Sequence, residues 1–262
     1  MSRVIAVTGG SSGIGAKIVE QFTNQGATVV ILDRNQPSGS QDFVQCDLSD
    51  FAAIDSAVGA LPAQLDVFVN AAGISGLAPI PKVMKVNFYG LRHLTEAVAG
   101  RIASGGSVIN IASTSSWYWR DHLTEIATIM AARDDAEIEA ICAKLITDGY
   151  TAYARSKEAV LVWSAVAAQE YLGRFRINSV SPGPIETPLL ADFYEAMGHE
   201  ELDPLTKRAG GRNGRPDEIA SVVTFLASNE SNWINGTDIP VDNSAEISEF
   251  LAANNVIPPL EK

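Results

Sequence analysis

The stretch Thr8-Gly9-Gly10-Ser11-Ser12-Gly13-Ile14-Gly15 lies between an apolar run at residues 4–7 and a helical pattern that follows the last glycine. A strand that passes through glycines into a helix makes a cradle for a phosphate, because the first helical N–H groups and the helix dipole both favour an anion. Gly9 permits a turn that a Cβ would obstruct. Gly13 and Gly15 permit close approach to a pyrophosphate and close helix packing. The alternative is a glycine-rich turn without a ligand, since the spacing is not Gly-x-Gly-x-x-Gly.

Composition and charge argue against several classes of protein. The chain has 262 residues, which favours one large domain, residues 1–262, over two. Its net charge of -12, without a Lys/Arg cluster, makes nucleic acid and anionic membranes poor partners. Cys46 and Cys142 lack metal-site spacing and the histidines are scattered, so we expect no metal. Without a signal peptide or a membrane-spanning stretch, we expect a cytoplasmic protein.

Strand and helix patterns alternate along the chain. Strands are expected at residues 4–7, 28–32, 43–45, 67–70, 107–111, 176–180 and 237–241, and helices at residues 16–25, 53–61, 83–99, 152–171 and 216–227. This alternation predicts an α/β fold with a doubly wound parallel sheet, a Rossmann fold of three α/β/α layers.

One segment interrupts the alternation. Residues 117–150 separate the fifth strand from the helix that carries Tyr153, although most such connections are far shorter. Apolar residues at helical spacing predict a helix-turn-helix insertion with its break near Asp134-Asp135. The insertion is a substrate lid, an assembly element or a surface excursion, and Trp117-Tyr118-Trp119 at its start favours a functional role.

An acidic residue follows the second predicted strand. In a dinucleotide-binding fold, Asp33 would accept hydrogen bonds from the adenosine ribose and would repel a 2′-phosphate, so NAD is favoured as cofactor. Arg34 is the counter-argument, because an arginine here can accommodate that phosphate. Ser11 and Ser12 add no cation to the glycine turn. The same enzyme with NADP is therefore the alternative.

A tyrosine and a lysine stand four residues apart in the next long helix, so Tyr153 and Lys157 share one face. A tyrosine of pKa about 10 is a poor acid-base catalyst at neutral pH. A neighbouring ammonium stabilises the phenolate and lowers its pKa. Such a pair could take a proton from an alcohol during hydride transfer, or give one to a ketone.

Ordered motifs from residue 4 to about residue 242 resemble the short-chain dehydrogenase/reductase family. Besides the glycine turn they are Asp47-Leu48, Asn70-Ala71-Ala72-Gly73, Val86-Asn87, Ile111-Ala112-Ser113, Tyr153-Ala154-Arg155-Ser156-Lys157 and Pro182-Gly183-Pro184-Ile185-Glu186-Thr187. The long gap between Ser113 and Tyr153, and the short stretch from Gly73 to Asn87, are similar to the bacterial 3α-hydroxysteroid dehydrogenase/carbonyl reductase branch, which includes coniferyl-alcohol dehydrogenases.

The resemblance implies a role for each of these residues. Tyr153 would be the general acid/base, Lys157 would hold the nicotinamide ribose and lower the tyrosine pKa, and Ser113 would polarise the substrate oxygen. Asn87 would fix a water for proton relay, and Asn70 either lines the cofactor cleft or steadies the sheet. Cofactor contacts are implied for Gly9, Ser11, Ser12, Gly13, Ile14, Asp33, Arg34, Asp47, Leu48, Asn70, Ala71, Ala72, Gly73, Tyr153, Lys157, Pro182, Gly183, Ile185 and Thr187.

The implied activity is NAD-dependent interconversion of a secondary alcohol and a ketone, with an apolar cyclic substrate such as a hydroxysteroid or an aryl alcohol. Residues 189–198 would form a mobile lid over the substrate. A rival from another class is a non-catalytic NAD(H)-binding sensor or scaffold, since fold does not imply function. The substrate site would be walled by Trp117, Trp119, Leu189, Leu190 and Phe193.

The resemblance also bears on assembly. The helices of Asn87 and Tyr153 form a four-helix contact in tetramers of the family, and the insertion should crowd that surface. We therefore expect a homodimer through residues 216–227 and the last strand, with a homotetramer as the alternative. The C-terminal arm, residues 245–262, departs from the family pattern after Asp242 and has no assigned role.

Overall fold

Parallel strands form the centre of the molecule in the computed structural model, which describes residues 2–39 and 42–258. The strands are β1 (Val4–Thr8), β2 (Thr28–Asp33), β3 (Asp42–Gln45), β4 (Leu65–Asn70), β5 (Ile102–Ile111), β6 (Phe175–Pro182) and β7 (Asp238–Val241). Their order across the sheet is β3-β2-β1-β4-β5-β6-β7. The order reverses between β1 and β4, and at such a switch point the carboxyl ends of the strands leave a crevice for a ligand. The predicted doubly wound sheet is confirmed.

Helices cover both faces of this sheet. They are α1 (Gly13–Asn24), α2 (Phe51–Ala60), α3 (Ile80–Met84), α4 (Gly90–Val98), α5 (Leu123–Ala131), α6 (Asp135–Leu145), α7 (Gly149–Glu170), α8 (Pro188–Met197), α9 (His199–Arg208), α10 (Pro216–Leu226) and α11 (Ala245–Ala253). Side chains alternate along β1: Ile5 and Val7 join the apolar cluster under α1 and α10, and Ala6 joins the cluster under α2, α4 and α7. This alternation is the two-residue period of a strand that is buried on both faces.

The predicted insertion is a pair of helices, α5 and α6, with the break close to the expected position. Two side chains of the preceding helical segment hold the carboxyl end of α5. Arg92 donates hydrogen bonds to the carbonyls of Met130 (2.8 Å) and Ala132 (2.6 Å), and the Tyr89 hydroxyl donates to the carbonyl of Ile129 (3.0 Å). Because terminal carbonyls of a helix lack partners within the helix, these contacts anchor the insertion.

The helix predicted over residues 83–99 is wrong in one respect. A five-residue π-helical turn, Lys85–Tyr89, separates α3 from α4. A π turn accommodates one extra residue, and such turns are frequent at functional sites. Asn87 lies in the middle of this turn.

Three helices were not expected from the sequence: α8 and α9, which follow β6, and α11, which lies in the C-terminal arm. The last four residues of that arm, 259–262, lie outside the described residues. None of the helices in residues 2–39 and 42–258 combines the length and the apolar character that crossing a membrane requires.

Candidate active site

A cleft of about 560 Å³ opens at the carboxyl ends of the central strands. The glycine turn closes one end of it. Gly9 has a φ of +69°, and a Cβ there would lie 2.7 Å from the backbone of Ala72. A Cβ on Gly15 would lie 2.1 Å from the carbonyl oxygen of Gly9. Both positions therefore require glycine, the second because the helix packs against the turn itself.

A fixed carboxylate stands beside the glycine turn. Asp33 ends β2, and its two carboxylate oxygens accept hydrogen bonds from the backbone N–H groups of Ser11 (3.1 Å) and Asn35 (3.0 Å). Arg34 also lines the cleft. The Ser11 side chain is not part of the lining, because its hydroxyl donates to the carbonyl of Asn35 at 2.8 Å. The cofactor contact expected from Ser11 stays a prediction.

Most of the other expected cofactor contacts do line the cleft. They come from the glycine turn, from the loops after β3 and β4, and from the segment after β6. They are Ser12, Gly13, Ile14, Asp47, Leu48, Ala71, Ala72, Gly73, Pro182, Gly183, Ile185 and Thr187.

Asn70 is buried in the sheet and is not part of the cleft lining, which favours the second of its two expected roles. Its side chain is buried and donates hydrogen bonds to Thr95 Oγ1 (2.9 Å) and Asn110 Oδ1 (2.8 Å). Asn110 in turn donates to Ser164 Oγ at 2.8 Å. The chain of amides joins β4 and β5 to α4 and α7. Asn70 steadies the sheet, because these partners occupy both hydrogens of its amide.

Ser113, Tyr153 and Lys157 meet in the middle of the cleft. Ser113 lies just beyond β5, and the other two occupy the first turns of α7. The Lys157 ammonium donates a hydrogen bond to the carbonyl of Ile111 at 2.8 Å. It lies 5.8 Å from the centroid of the Tyr153 ring. The tertiary fold therefore assembles the three groups that the motifs single out.

Burial dominates the titration of these groups. It raises the pKa of Tyr153 to about 12, an effect that the neighbouring Ser113 hydroxyl opposes. Burial also lowers the pKa of Lys157 to about 8. The lysine was expected to lower the tyrosine pKa. In the structure, burial raises it instead. The reason is that loss of water disfavours both the phenolate and the ammonium.

Asn87 is fully buried beneath the cleft. Its side chain accepts a hydrogen bond from the N–H of Ile74 (2.9 Å) and donates to the carbonyl of Ile74 (3.0 Å) and to Ser156 Oγ (3.2 Å). A Cβ on Gly73 would lie 3.4 Å from Asn87 Oδ1 and 3.5 Å from the Lys157 nitrogen. Glycine at position 73 therefore leaves open the space between the Asn87 amide oxygen and the Lys157 nitrogen. Its role in holding a water stays a prediction.

The substrate end of the cleft is covered by α8. Leu189, Phe193 and Met197 of this helix line it, together with Trp117 from the start of the insertion. Two residues expected on this wall are absent from the lining. Leu190 points elsewhere on α8, and Trp119 packs against the main apolar cluster beneath the guanidinium of Arg120, 4.3 Å from the Trp119 ring.

Tyr150 and Glu246 also line the cleft, although no sequence pattern assigned them a role. Tyr118, from the aromatic cluster at the start of the insertion, lines it too. Tyr150 precedes Tyr153 by one helical turn, so helical spacing could have indicated it. Glu246 belongs to α11, about 90 residues from Tyr153. No local pattern marks it, because the contact is made only when the C-terminal arm folds over the cleft.

Comparison with protein families gives two adjacent matches. The model described as short chain dehydrogenase matches residues 3–125, and the model described as enoyl-(acyl carrier protein) reductase matches residues 136–243. The gap between the matches falls within the segment that was read as an insertion.

Two curated proteins and one solved structure illustrate the similarity. Coniferyl-alcohol dehydrogenase of Pseudomonas sp. strain HR199 is 40% identical over 247 residues, which cover 92% of this chain and 95% of that protein. The 3-beta-hydroxysteroid dehydrogenase of Comamonas testosteroni is 31% identical, with 92% and 95% covered. The crystal structure of 3-alpha-hydroxysteroid dehydrogenase from Pseudomonas sp. B-0831 complexed with NADH has a TM-score of 0.80 at 29% identity, covering 97% of this chain and 98% of that one.

Proposed function

This chain belongs to the short-chain dehydrogenase/reductase family, and we propose that it is an NAD(H)-dependent oxidoreductase that interconverts a secondary alcohol and a ketone. One observation carries the proposal. A single cleft runs from the glycine turn and the Asp33 carboxylate to Ser113, Tyr153 and Lys157. A dinucleotide laid along it would reach the proposed acid/base with its nicotinamide end.

In the proposed mechanism, Tyr153 exchanges the proton and Ser113 orients the substrate oxygen by a hydrogen bond. The bound nicotinamide supplies or accepts the hydride. In ketone reduction, the tyrosine donates its proton to the oxygen, and at neutral pH it is protonated because its pKa is about 12. In alcohol oxidation, it must first lose that proton, so the Lys157 ammonium beside it has to stabilise the phenolate.

A route for the proton begins at Lys157. Its nitrogen and the Asn87 amide oxygen both come within 3.5 Å of the position that a Cβ on Gly73 would occupy. Asn87 is rigid because Ile74 and Ser156 hold its side chain. We assign to Asn87 the positioning of a water that passes the proton between Lys157 and solvent. The π turn that carries Asn87 supports this assignment, since such turns are frequent at functional sites.

The choice of NAD over NADP rests on Asp33. Two backbone N–H groups hold its carboxylate at the end of β2, beside the glycine turn. A carboxylate there can accept hydrogen bonds from both ribose hydroxyls, whereas a 2′-phosphate would meet like charge. Arg34 lines the same end of the cleft, so NADP remains the rival cofactor.

The substrate class follows from the apolar cover of the cleft and from the relatives. Trp117, Leu189, Phe193 and Met197 suit a ring system. By their names, the similar proteins act on coniferyl alcohol, a primary alcohol that carries an aromatic ring, or on hydroxysteroids, which are secondary alcohols. Both names support a substrate with a ring system, and the hydroxysteroid names support the secondary alcohol.

We also propose a homodimer as the working assembly. The insertion packs on the outer face of α7, where Arg155 binds Glu125 at 2.7 Å, so this face is already covered. The part of the surface around the β7 edge carries exposed apolar side chains, among them Phe225 on α10 and the fully exposed Trp233 before β7. A second copy of the chain that pairs along α10 and β7 would cover them.

The test is formation of NADH by the purified protein with hydroxysteroids, aryl alcohols and simple secondary alcohols, with NADP in parallel. We expect turnover with NAD, and a loss of about 10²- to 10⁴-fold in kcat for Tyr153→Phe. Ser113→Ala is the companion variant, and Ser115→Ala is the control that removes a neighbouring hydroxyl. NADH binding without turnover of any alcohol would instead favour the non-catalytic sensor.

A further inference from the structure

A polar cluster at the substrate end of the cleft has no part in the proposed chemistry. Its centre is the Glu246 carboxylate in the first turn of α11. Glu246 lines the same cleft as Tyr153, together with Tyr118 and Tyr150. The Thr114 hydroxyl lies against the Glu246 carboxylate and stabilises its charge. Four side chains from three distant parts of the chain thus bring oxygen atoms to the cleft that Trp117, Leu189, Phe193 and Met197 also line.

Glu246 occupies this position at an energetic cost. Burial, with the nearby carboxylates of Asp242 and Glu249, raises its pKa to about 7. The groups that act on its pKa include no cation that would compensate for the lost water. A half-buried carboxylate without a cationic partner is unfavourable for folding alone, so a role in binding explains its position better than a role in stability.

The relation of Glu246 to the reacting centre is set by α7. Tyr150 stands one helical turn before Tyr153, and its phenol acts electrostatically on both Tyr153 and Glu246. Tyr118, Tyr150 and Glu246 therefore share with Tyr153 the lining of one cleft. A substrate whose reacting carbon lies at Tyr153 and whose ring lies against Phe193 occupies the space that the Glu246 carboxylate also lines.

We propose that Glu246 is a specificity-determining residue, which accepts a hydrogen bond from a second hydroxyl group at the end of the substrate remote from the reacting carbon. Tyr118 and Tyr150 complete the subsite as hydroxyl donors or acceptors. The ligand class is thus a cyclic or aryl alcohol with a distal hydroxyl. This inference rests on the proposed dehydrogenase function, because it assumes that the substrate binds in this cleft.

A matched pair of compounds tests the subsite. These are 1-(4-hydroxyphenyl)ethanol and its ether 1-(4-methoxyphenyl)ethanol, in which a methyl group replaces the distal donor hydrogen. For the wild-type protein, we expect kcat/KM with NAD to favour the phenol about 10- to 100-fold, the range of a hydrogen bond to a charged group. Dissociation constants of both alcohols from the enzyme–NADH complex, which cannot oxidise them, should show the same preference.

Two variants of Glu246 test whether its carboxylate causes the preference for the phenol. Glu246→Leu should bring the ratio for the two compounds to within about twofold, mainly by weakening the phenol, and Glu246→Gln should give an intermediate ratio. Glu249→Gln is the matched control, since it removes the same charge from the same helix at a side chain bound to Arg208 outside the cleft lining. It should keep the wild-type ratio.

The outcomes separate the two proposals. Equal dissociation constants for phenol and ether in the wild-type protein, or a preference that survives Glu246→Leu, would overturn the subsite. A carboxylate-dependent preference in binding, without turnover of either compound, would support the subsite and overturn the proposed activity. Circular dichroism shows whether Glu246→Leu changes the fold. If it does, the ratio of phenol to ether measured for Glu246→Gln decides the test.

Discussion

The ring of Phe193 stands edge-on to the ring of Tyr153, with the centroids 4.9 Å apart and the planes inclined by 71°. Phe193 lies on α8, next to Asp192, which accepts a hydrogen bond from Ser75 Oγ at 2.9 Å. The helix over the substrate end is thus tied to the loop after β4 and packed on the proposed acid/base. The helix over the substrate end and the proposed acid/base Tyr153 therefore contact each other directly.

Phe193→Ala should weaken substrate binding more than cofactor binding. Loss of the ring removes apolar surface from the substrate end, and we expect KM for a ring-containing alcohol to increase by about 5- to 20-fold. The dissociation constant of NADH should stay unchanged. Steady-state kinetics and NADH fluorescence measure the two quantities. Leu190→Ala on the same helix, outside the cleft lining, should change neither; an equal effect of both variants would refute a specific role for Phe193.

Lys157→Met should stabilise the fold while it abolishes turnover. The pKa of Lys157 is about 8 in the folded protein, against 10.5 for an unperturbed lysine. The unfolded chain therefore binds this proton more tightly, so the lysine destabilises the fold below pH 8, and the effect disappears as the pH rises to 10.5. After subtraction of the hydrogen bond to Ile111, we expect a net gain of about 1 to 2 kcal/mol at pH 7.

Thermal unfolding of both proteins at pH 7 and at pH 10 checks the sign. The advantage of the methionine variant should shrink at the higher pH. An advantage of the same size at both values would mean that packing, and not the buried charge, causes it.

Asp33→Asn should reduce the preference for NAD. The change removes the negative charge that would bind the ribose hydroxyls and repel a 2′-phosphate, so kcat/KM with NAD should fall about 10- to 100-fold while that with NADP rises. Arg34→Ala is the paired variant, and it should leave NAD use unchanged. Initial rates with both cofactors provide the measurement. Undiminished NAD use by Asp33→Asn would contradict the ribose assignment.

Glu158→Leu should destabilise the junction between α7 and the insertion. Glu158 is 1% exposed and binds Arg155 at 3.1 Å and His122 at 2.9 Å. Burial raises its pKa, although both partners oppose the rise. Removal of the buried carboxylate takes away one of the two acidic partners of Arg155, which keeps Glu125, and the carboxylate partner of His122, for a loss of about 2 kcal/mol in urea unfolding. Glu125→Gln breaks the more exposed pair with Arg155 and should cost less than about 1 kcal/mol. Equal losses would contradict this difference.

Trp233→Asp combined with Phe225→Asp should convert the proposed dimer to a monomer, because it places charge on the apolar edge beside β7. Light scattering across a concentration series gives the molar mass. Leu123→Asp alters an exposed apolar residue on the insertion and should leave the dimer intact. Dissociation by Leu123→Asp alone would move the interface to the insertion.

Local patterns predicted much of the fold. The strands follow β-branched runs, the insertion helices follow apolar residues at helical spacing, and the glycine turn at Gly9 marks the first crossover. Ser113, Tyr153 and Lys157 were also indicated by their positions relative to strand and helix ends. These features depend on a residue's immediate neighbours, which the order of the chain contains.

Features made by distant contacts were missed. The π turn around Asn87 is an irregularity of one residue within a helical pattern. Asn70 could not be assigned to the sheet until Thr95 and Asn110 were seen to occupy its amide. The position of Glu246 depends on where the C-terminal arm lies.

The amino-acid order therefore decided the parallel sheet, the place of the glycine turn and the motifs that carry Ser113, Tyr153 and Lys157, because backbone conformation and periodic burial are local. Only the tertiary structure decided the protonation of Tyr153 and Lys157, since desolvation depends on what covers a group. It also decided which walls of the cleft are apolar and that a carboxylate stands at the far end, because α8, the insertion and α11 meet there from separate parts of the chain.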